Sequence, residues 1–283
     1  MSDPAFEIVA QGFQFCEAPR AYRDGRVLFS DLTGGGLYRA SADGTVETML
    51  AGRDWIGGAT LDRGDAVLCS GRGGLVLVRD GVATPILEVI DGRAIVAVND
   101  IEADAAGAIY GGTIDFGAIL ERNEAPGMGV LFHLTPDGAL TILRDDVVAS
   151  NGIGFSPDGA TMYHAETSVG VWAWTMRAGR ASGPPALFAK ADDCDGLVVD
   201  TEGGLWVAFW AEAVLRRYRA DATIDRVIAL PFPSLVSLSF GGPDLTDLYV
   251  TTGGNGARPN AGGVIRIRSD VPGLPVHHSA FSE

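Results

Sequence analysis

The stretch Asn151–Gly159, NGIGFSPDG, holds one repeating unit of the fold: a polar residue, a short apolar run, and a turn glycine eight positions on. The same frame returns at Glu17–Gly25 (EAPRAYRDG), Asn99–Gly107 (NDIEADAAG) and Asp195–Gly203 (DGLVVDTEG). Cutting the chain at this frame gives segments of roughly 35 to 50 residues, beginning near Glu17, Gly57, Asn99, Asn151, Asp195 and Ser237. In each, the turn is followed by a second run, such as Leu205-Trp206-Val207 or Leu248-Tyr249-Val250, and then a third, such as Val171-Trp172-Ala173-Trp174 or Val264-Ile265-Arg266-Ile267. The runs are short, β-branched or aromatic, and bounded by turn residues, which reads as strand after strand without convincing amphipathic helices.

Six such units at this period predict an all-β, six-bladed β-propeller rather than a sandwich, and the lack of terminal caps argues against a solenoid. Phe6–Phe13 precedes the first full repeat and is expected to complete the last blade, closing the ring by pairing the chain ends. No linker-like stretch interrupts the chain, so residues 1–283 read as a single domain.

Composition fits this reading and excludes others. An apolar fraction of 47% supports a large core, and 39 glycines, many in Asp-Gly and Gly-Gly pairs, point to many tight turns. A net charge of −15 argues against nucleic acid or an anionic membrane as partner, since phosphate recognition needs a basic patch. The three cysteines, Cys16, Cys69 and Cys194, do not form a disulfide pattern. MSDPAFEIVA does not read as a leader, and no run is long and apolar enough to span a bilayer, so a soluble cytoplasmic protein is expected.

Equivalent positions in a closed ring map to equivalent places around its axis, so Glu17, Asn99, Asn151 and Asp195 are expected to converge at one mouth of the central channel. The matching positions of the second and sixth repeats, Trp55–Gly58 and Ser234–Ser237, carry no acid or amide, which leaves one side open for a substrate. Two carboxylates and two amide oxygens suit a hard divalent cation. Calcium is favoured, with manganese, magnesium or zinc as alternatives. Asn and Asp also start strands for purely local reasons. Four in one register, two of them charged and buried, call for a cation to offset the cost of burial. Cys16 and Cys194 precede ring positions and should point away from the channel as buried thiols. His133, His164, Trp172 and Trp206 read as structural, whereas Trp55 and Trp210 are candidates to line the pocket. The insertion Ile114–Met128, with Phe116, Glu121 and Arg122, reads as either a lid or an ordinary surface loop.

CEAPR (Cys16–Arg20), VND (Val98–Asp100), NGIGFSPDGATMY (Asn151–Tyr163), DGLVVDTEGGLWVA (Asp195–Ala208) and LSFGGPDLTDLYVTT (Leu238–Thr252) span nearly the whole chain in order. Together they resemble the gluconolactonase, regucalcin (senescence marker protein) and luciferin-regenerating enzyme family. The resemblance implies a six-bladed propeller with one catalytic divalent metal. Glu17, Asn151 and Asp195 match the metal ligands, and Asp195 also the acid/base residue. Asn99 matches a substrate contact that ligates metal in diisopropyl fluorophosphatase-like relatives, and Phe116, Glu121 and Trp210 are further candidates for binding substrate. The implied activity is metal-dependent hydrolysis of a small-molecule lactone. An esterase, a phosphotriesterase, a non-hydrolytic enzyme of the family, and a non-catalytic metal- or protein-binding propeller are the alternatives. One position departs from the pattern: Ala97 stands where sugar-acid lactonases often carry an arginine that binds substrate hydroxyls, which makes a less polar lactone or ester more credible.

Overall fold

A computed structural model of the chain describes residues 5–282. Six antiparallel sheets are arranged in a ring, a six-bladed β-propeller. Five blades follow the chain from the axis outward, and their innermost strands are Cys16–Ala21, Ala59–Leu61, Ala97–Ala103, Ser150–Phe155 and Cys194–Val199. The sixth begins with Ser234–Gly241, continues through Asp247–Gly253 and Gly262–Arg268, and is completed from the other chain end by Glu7–Phe13. The expected closure therefore holds, with Glu7 opposite Arg266 and Phe13 opposite Gly262. It removes the exposed strand edges that an open array would leave.

Blade strands read as continuous apolar runs because both faces of each sheet are covered. One apolar cluster fills each gap between neighbouring blades: Leu28 and Leu37 of the first blade meet Val67 and Val78 of the second. Phe29 and Val27 meet Tyr249 and Val264 across the closure. Trp206 and Leu215 meet Phe240 and Ile265 between the last two. Burying both faces this way removes the strict in–out alternation of a one-sided sheet. The turn glycines Gly25, Gly107, Gly159 and Gly203 all adopt positive φ, between +66° and +88°.

The glycines of Asn151-Gly152 and Asp195-Gly196 lie within inner strands. A Cβ on Gly152 would collide with the Leu197 backbone, and one on Gly196 with Ser237, so these glycines let adjacent inner strands approach. The Ile114–Met128 insertion also contains a helical turn, Gly117–Arg122 with π-type bonding, which the strand pattern did not anticipate. It is braced by Asp115, which accepts the Ala118 amide at 2.8 Å.

Candidate functional site at one mouth of the channel

Five inner strands share a defect at the same place. Glu17 faces Ser30 and Arg20 faces Leu28, so three steps on the inner strand match two on its partner. The same one-residue excess separates Val98 from Ile101, Ser150 from Ile153, Cys194 from Leu197, and Leu235 from Leu238. A β-bulge redirects side chains and strengthens twist locally. In four of these five blades the bulge carries the ring residue: Glu17, Asn99, Asn151 and Asp195, all at most 7% exposed.

The ring is held together by specific contacts. Asn99 Nδ2 donates to Asn151 Oδ1 at 2.8 Å and to the Ser150 carbonyl at 2.7 Å. Asn151 Nδ2 donates to Thr167 Oγ1 at 2.6 Å, and that hydroxyl donates to the Cys194 carbonyl at 2.6 Å. Asn151 is thereby oriented from the strand that carries Asp195. Both carboxyls have pKa values well above the usual carboxylate range. For Glu17 the causes are burial, then the charges of Asp195 and Asp100. For Asp195 they are burial, then Asp100 and Asp193.

Asp100 is the residue that sequence reasoning missed. Strand alternation would turn it away from Asn99, but the bulge leaves both neighbours buried. Burial pushes its pKa up to about 7, against the opposing pull of Arg20. The acidic VND tripeptide, with a charge inside an apolar strand, was the available signal.

These residues fit a hard divalent cation. Asn99 Oδ1 and Asp100 Oδ2 are buried with no hydrogen-bond partner among the described residues. A Cβ on Gly57 would strike Asn99 Oδ1, so the lack of a side chain in the second blade preserves space beside that oxygen. Among the described residues no group of three or more His, Cys, Asp or Glu side chains is gathered to hold an ion, so the amide oxygens are needed to complete a donor set.

Inner strands begin, and second strands end, at this mouth, so the loops between second and third strands rim it. Two positions before the ring lie Phe15, Trp55, Ala97 and Ala149, which form one apolar cluster with Leu32, Ile114 and Phe116. Phe116 packs on Trp55 with ring centroids 6.0 Å apart. Glu121 is exposed and bonded to Arg72 at 2.6 Å, so its carboxylate is already engaged. Trp210 sits in the corresponding loop of the fifth blade, 41% exposed. Cys16 and Cys194 are buried free thiols in inter-blade clusters, as expected. His164 is buried against Ser150 Oγ at 2.9 Å, and His133 lies 3.4 Å from Asp104, away from the ring.

The tail crosses the far mouth, from Asp200 of the fifth blade to Asp62 of the second. Residues 274–277 of the tail border a cavity of about 540 Å³, whose lining also includes the ion pair of Arg20 with Glu102 (2.8 Å). No helix among the described residues is long and apolar enough to cross a membrane.

Comparison with known proteins follows the same outline. Pentonolactonase XacC of Haloferax volcanii is 31% identical over 249 residues, covering 84% of this chain and 80% of that protein. Regucalcin of Xenopus laevis is 28% identical, covering 92% of each. In three dimensions, a calcium-binding protein, regucalcin, from Agrobacterium tumefaciens superposes with a TM-score of 0.84 at 24% identity over the full length of both chains. A luciferin-regenerating enzyme gives 0.83 at 22%, covering 98% of this chain and 99% of that one. The family model for the SMP-30/gluconolactonase/LRE-like region matches residues 15–254, from just before Glu17 to just beyond the sixth blade's second strand, and the chain belongs to that family.

Proposed function

We propose that the protein hydrolyses a lactone at the channel mouth, using one divalent cation held by Glu17, Asn151 and Asp195. Asn99 serves as a fourth oxygen donor or as a contact to substrate. The observation that carries this reading is the convergence of two buried carboxylates and two carboxamides on bulges of four separate blades, in a chain 31% identical to a pentonolactonase.

A cation held by Glu17, Asn151 and Asp195 would supply Lewis-acid polarisation of the lactone carbonyl and would acidify a neighbouring water. Asp195 takes the proton from the attacking water through a carboxylate oxygen. It returns that proton to the ring oxygen as the acyl C–O bond breaks, leaving a hydroxy acid. Asn99, fixed by the Ser150 carbonyl, holds its free Oδ1 toward the same space as a hydrogen-bond acceptor or a cation ligand. The apolar tier of Phe15, Trp55, Ala97 and Ala149 keeps bulk water from one side of the reacting centre. Calcium is the preferred ion, because all the donors are oxygen and a structural neighbour is named a calcium-binding protein.

The test is elemental analysis of protein purified without chelator, followed by a lactone panel at matched metal loading. Asp195→Asn and Glu17→Gln should each lower turnover by roughly 100-fold or more while circular dichroism stays native. They should also abolish the thermal stabilisation by added dications, which reaches about 2.7 kcal/mol at a ligand concentration of 100 Kd. Full turnover by both variants would overturn the reading. Ala97 within the apolar tier favours one second reading, a less polar ester or phosphotriester as substrate, and relative rates on the metal-loaded protein separate the two.

A further inference from the structure

The rim one tier outward from the ring lacks polar side chains on four consecutive blades, at Phe15, Trp55, Ala97 and Ala149. A lactone whose carbonyl reached the ring would press its remaining ring atoms against this wall. One side chain breaks it. Arg72 lies in the loop between the second and third strands of the second blade, and its backbone pairs across the strands with Ala97. Its guanidinium carbon is 3.3 Å from the centroid of the Trp55 ring. Glu121 of the long insertion accepts from Nη2 at 2.6 Å, and Asp54 lies 3.3 Å from Nε. Nη1 bonds to no protein group among the described residues, and the side chain remains 45% exposed.

The nearby arginines are otherwise occupied. Arg53 is turned to the Ser70 and Gly74 carbonyls. Arg122 pairs with Asp115 and Glu124 of its own loop. Arg72 is thus a guanidinium held over an indole and steadied by two carboxylates, with donors left over and little rotamer freedom to lose on binding.

Resting on the lactone reading above, we infer that Arg72 recognises the substrate, donating hydrogen bonds to the ring hydroxyls of a polyhydroxylated lactone at the rim beside Ala97. The donor that the inner strand lacks at Ala97 is supplied from the adjacent strand. The hydroxy-carboxylate product meets the same guanidinium on its way out, which offsets repulsion from the acidic ring.

The experiment compares kcat and KM of the metal-loaded wild type, Arg72→Met and Arg72→Lys on a polyhydroxylated five-membered lactone and on unsubstituted γ-butyrolactone. Arg72→Met keeps the length and apolar packing over Trp55 but removes every donor. The preference for the hydroxylated lactone should shrink by roughly 10- to 100-fold, mostly through KM, because charge-assisted hydrogen bonds are lost. Arg72→Lys should fall between the two, since the ammonium keeps charge without the planar fork. An unchanged preference in Arg72→Met, or an equal fall in kcat on both lactones, would overturn the assignment; the latter result would mean that Arg72 only braces Trp55 and the insertion. Wild-type protein that opens neither lactone would overturn the lactone reading and this assignment together.

Discussion

The tail is fastened across the far mouth of the channel by a clasp on one carboxylate, and removing it has a calculable cost. Asp62, 3% exposed at the end of the second blade's inner strand, accepts Ser279 Oγ at 2.6 Å, the Phe281 amide at 2.9 Å and the Ser282 amide at 3.1 Å. The Ser282 hydroxyl bonds to it as well, and Ala280 packs on Gly107 of the third blade. Upstream, Gly273 pairs with Asp200 of the fifth blade, so the tail crosses from one side of the ring to the other. Hydrogen bonds to a charged group contribute about 1.5–3 kcal/mol each, but those sharing one acceptor are not additive, and water reaches part of the tail once it loosens. Asp62→Ala should therefore cost about 3–5 kcal/mol, a fall in Tm of about 5–15 °C for a chain of this length.

The informative assay is a cycle of thermal melts on the wild type, Asp62→Ala, a chain ending at Val276, and the combination. If the clasp is the cause, the Asp62→Ala loss nearly vanishes in the shortened chain. Equal losses in both backgrounds would refute the reasoning. The pH dependence supplies a second check. Hydrogen bonds from Ser279, Ser282, Phe281 and Arg63 hold the Asp62 pKa below the usual 3.8, against the effect of burial. A depressed carboxyl pKa stabilises the fold above the unfolded value and loses that contribution as pH falls through the folded one. The cost of Asp62→Ala should thus be full at neutral pH and shrink below about pH 4.

Two other outcomes follow from the same geometry. Burial depresses the His164 pKa from 6.5 to about 3, so the folded state resists its protonation. Its contribution is intact above pH 6.5 and is lost as pH falls toward 3, so His164→Gln should flatten the decline in stability over that window, read by urea titration at several pH values. Gly152→Ala would force the Asn151 and Asp195 strands apart, because the new methyl overlaps the Leu197 amide. A loss of roughly 1–3 kcal/mol is expected in chemical denaturation. A parallel drop in dication affinity should follow, by calorimetric titration, since the two strands carry adjoining ring residues.

Much of the architecture was legible in residues alone because a propeller repeats. The recurrence of a polar residue, an apolar run and a turn glycine at Glu17, Asn99, Asn151 and Asp195 marked the blades. The leftover Phe6–Phe13 marked the closing strand. Blade two, with Gly57 in place of a ring residue, was still found by its second and third runs, since Val67–Cys69 and Leu75–Arg79 bury the same faces as their counterparts. These are local signals, short apolar runs bounded by turn residues, each written in a few consecutive residues.

Other features depend on chain segments far apart in sequence. Asp100 joined the ring because a bulge broke the alternation that should have turned it away, and a bulge is a mismatch between two strands that neither strand's sequence records. Gly152 and Gly196 serve close approach between blades more than 40 residues apart in sequence, a role that no local pattern marks. Arg72 carried no motif. Its meaning came from Ala97 opposite it, Trp55 beneath it and Glu121 beside it. Sequence alone determined which side chains recur around the axis, because periodic burial demands a periodic pattern. Tertiary packing decided which of them meet, because distances between blades are set by twist, bulges and glycine contacts that arise only once the ring is closed.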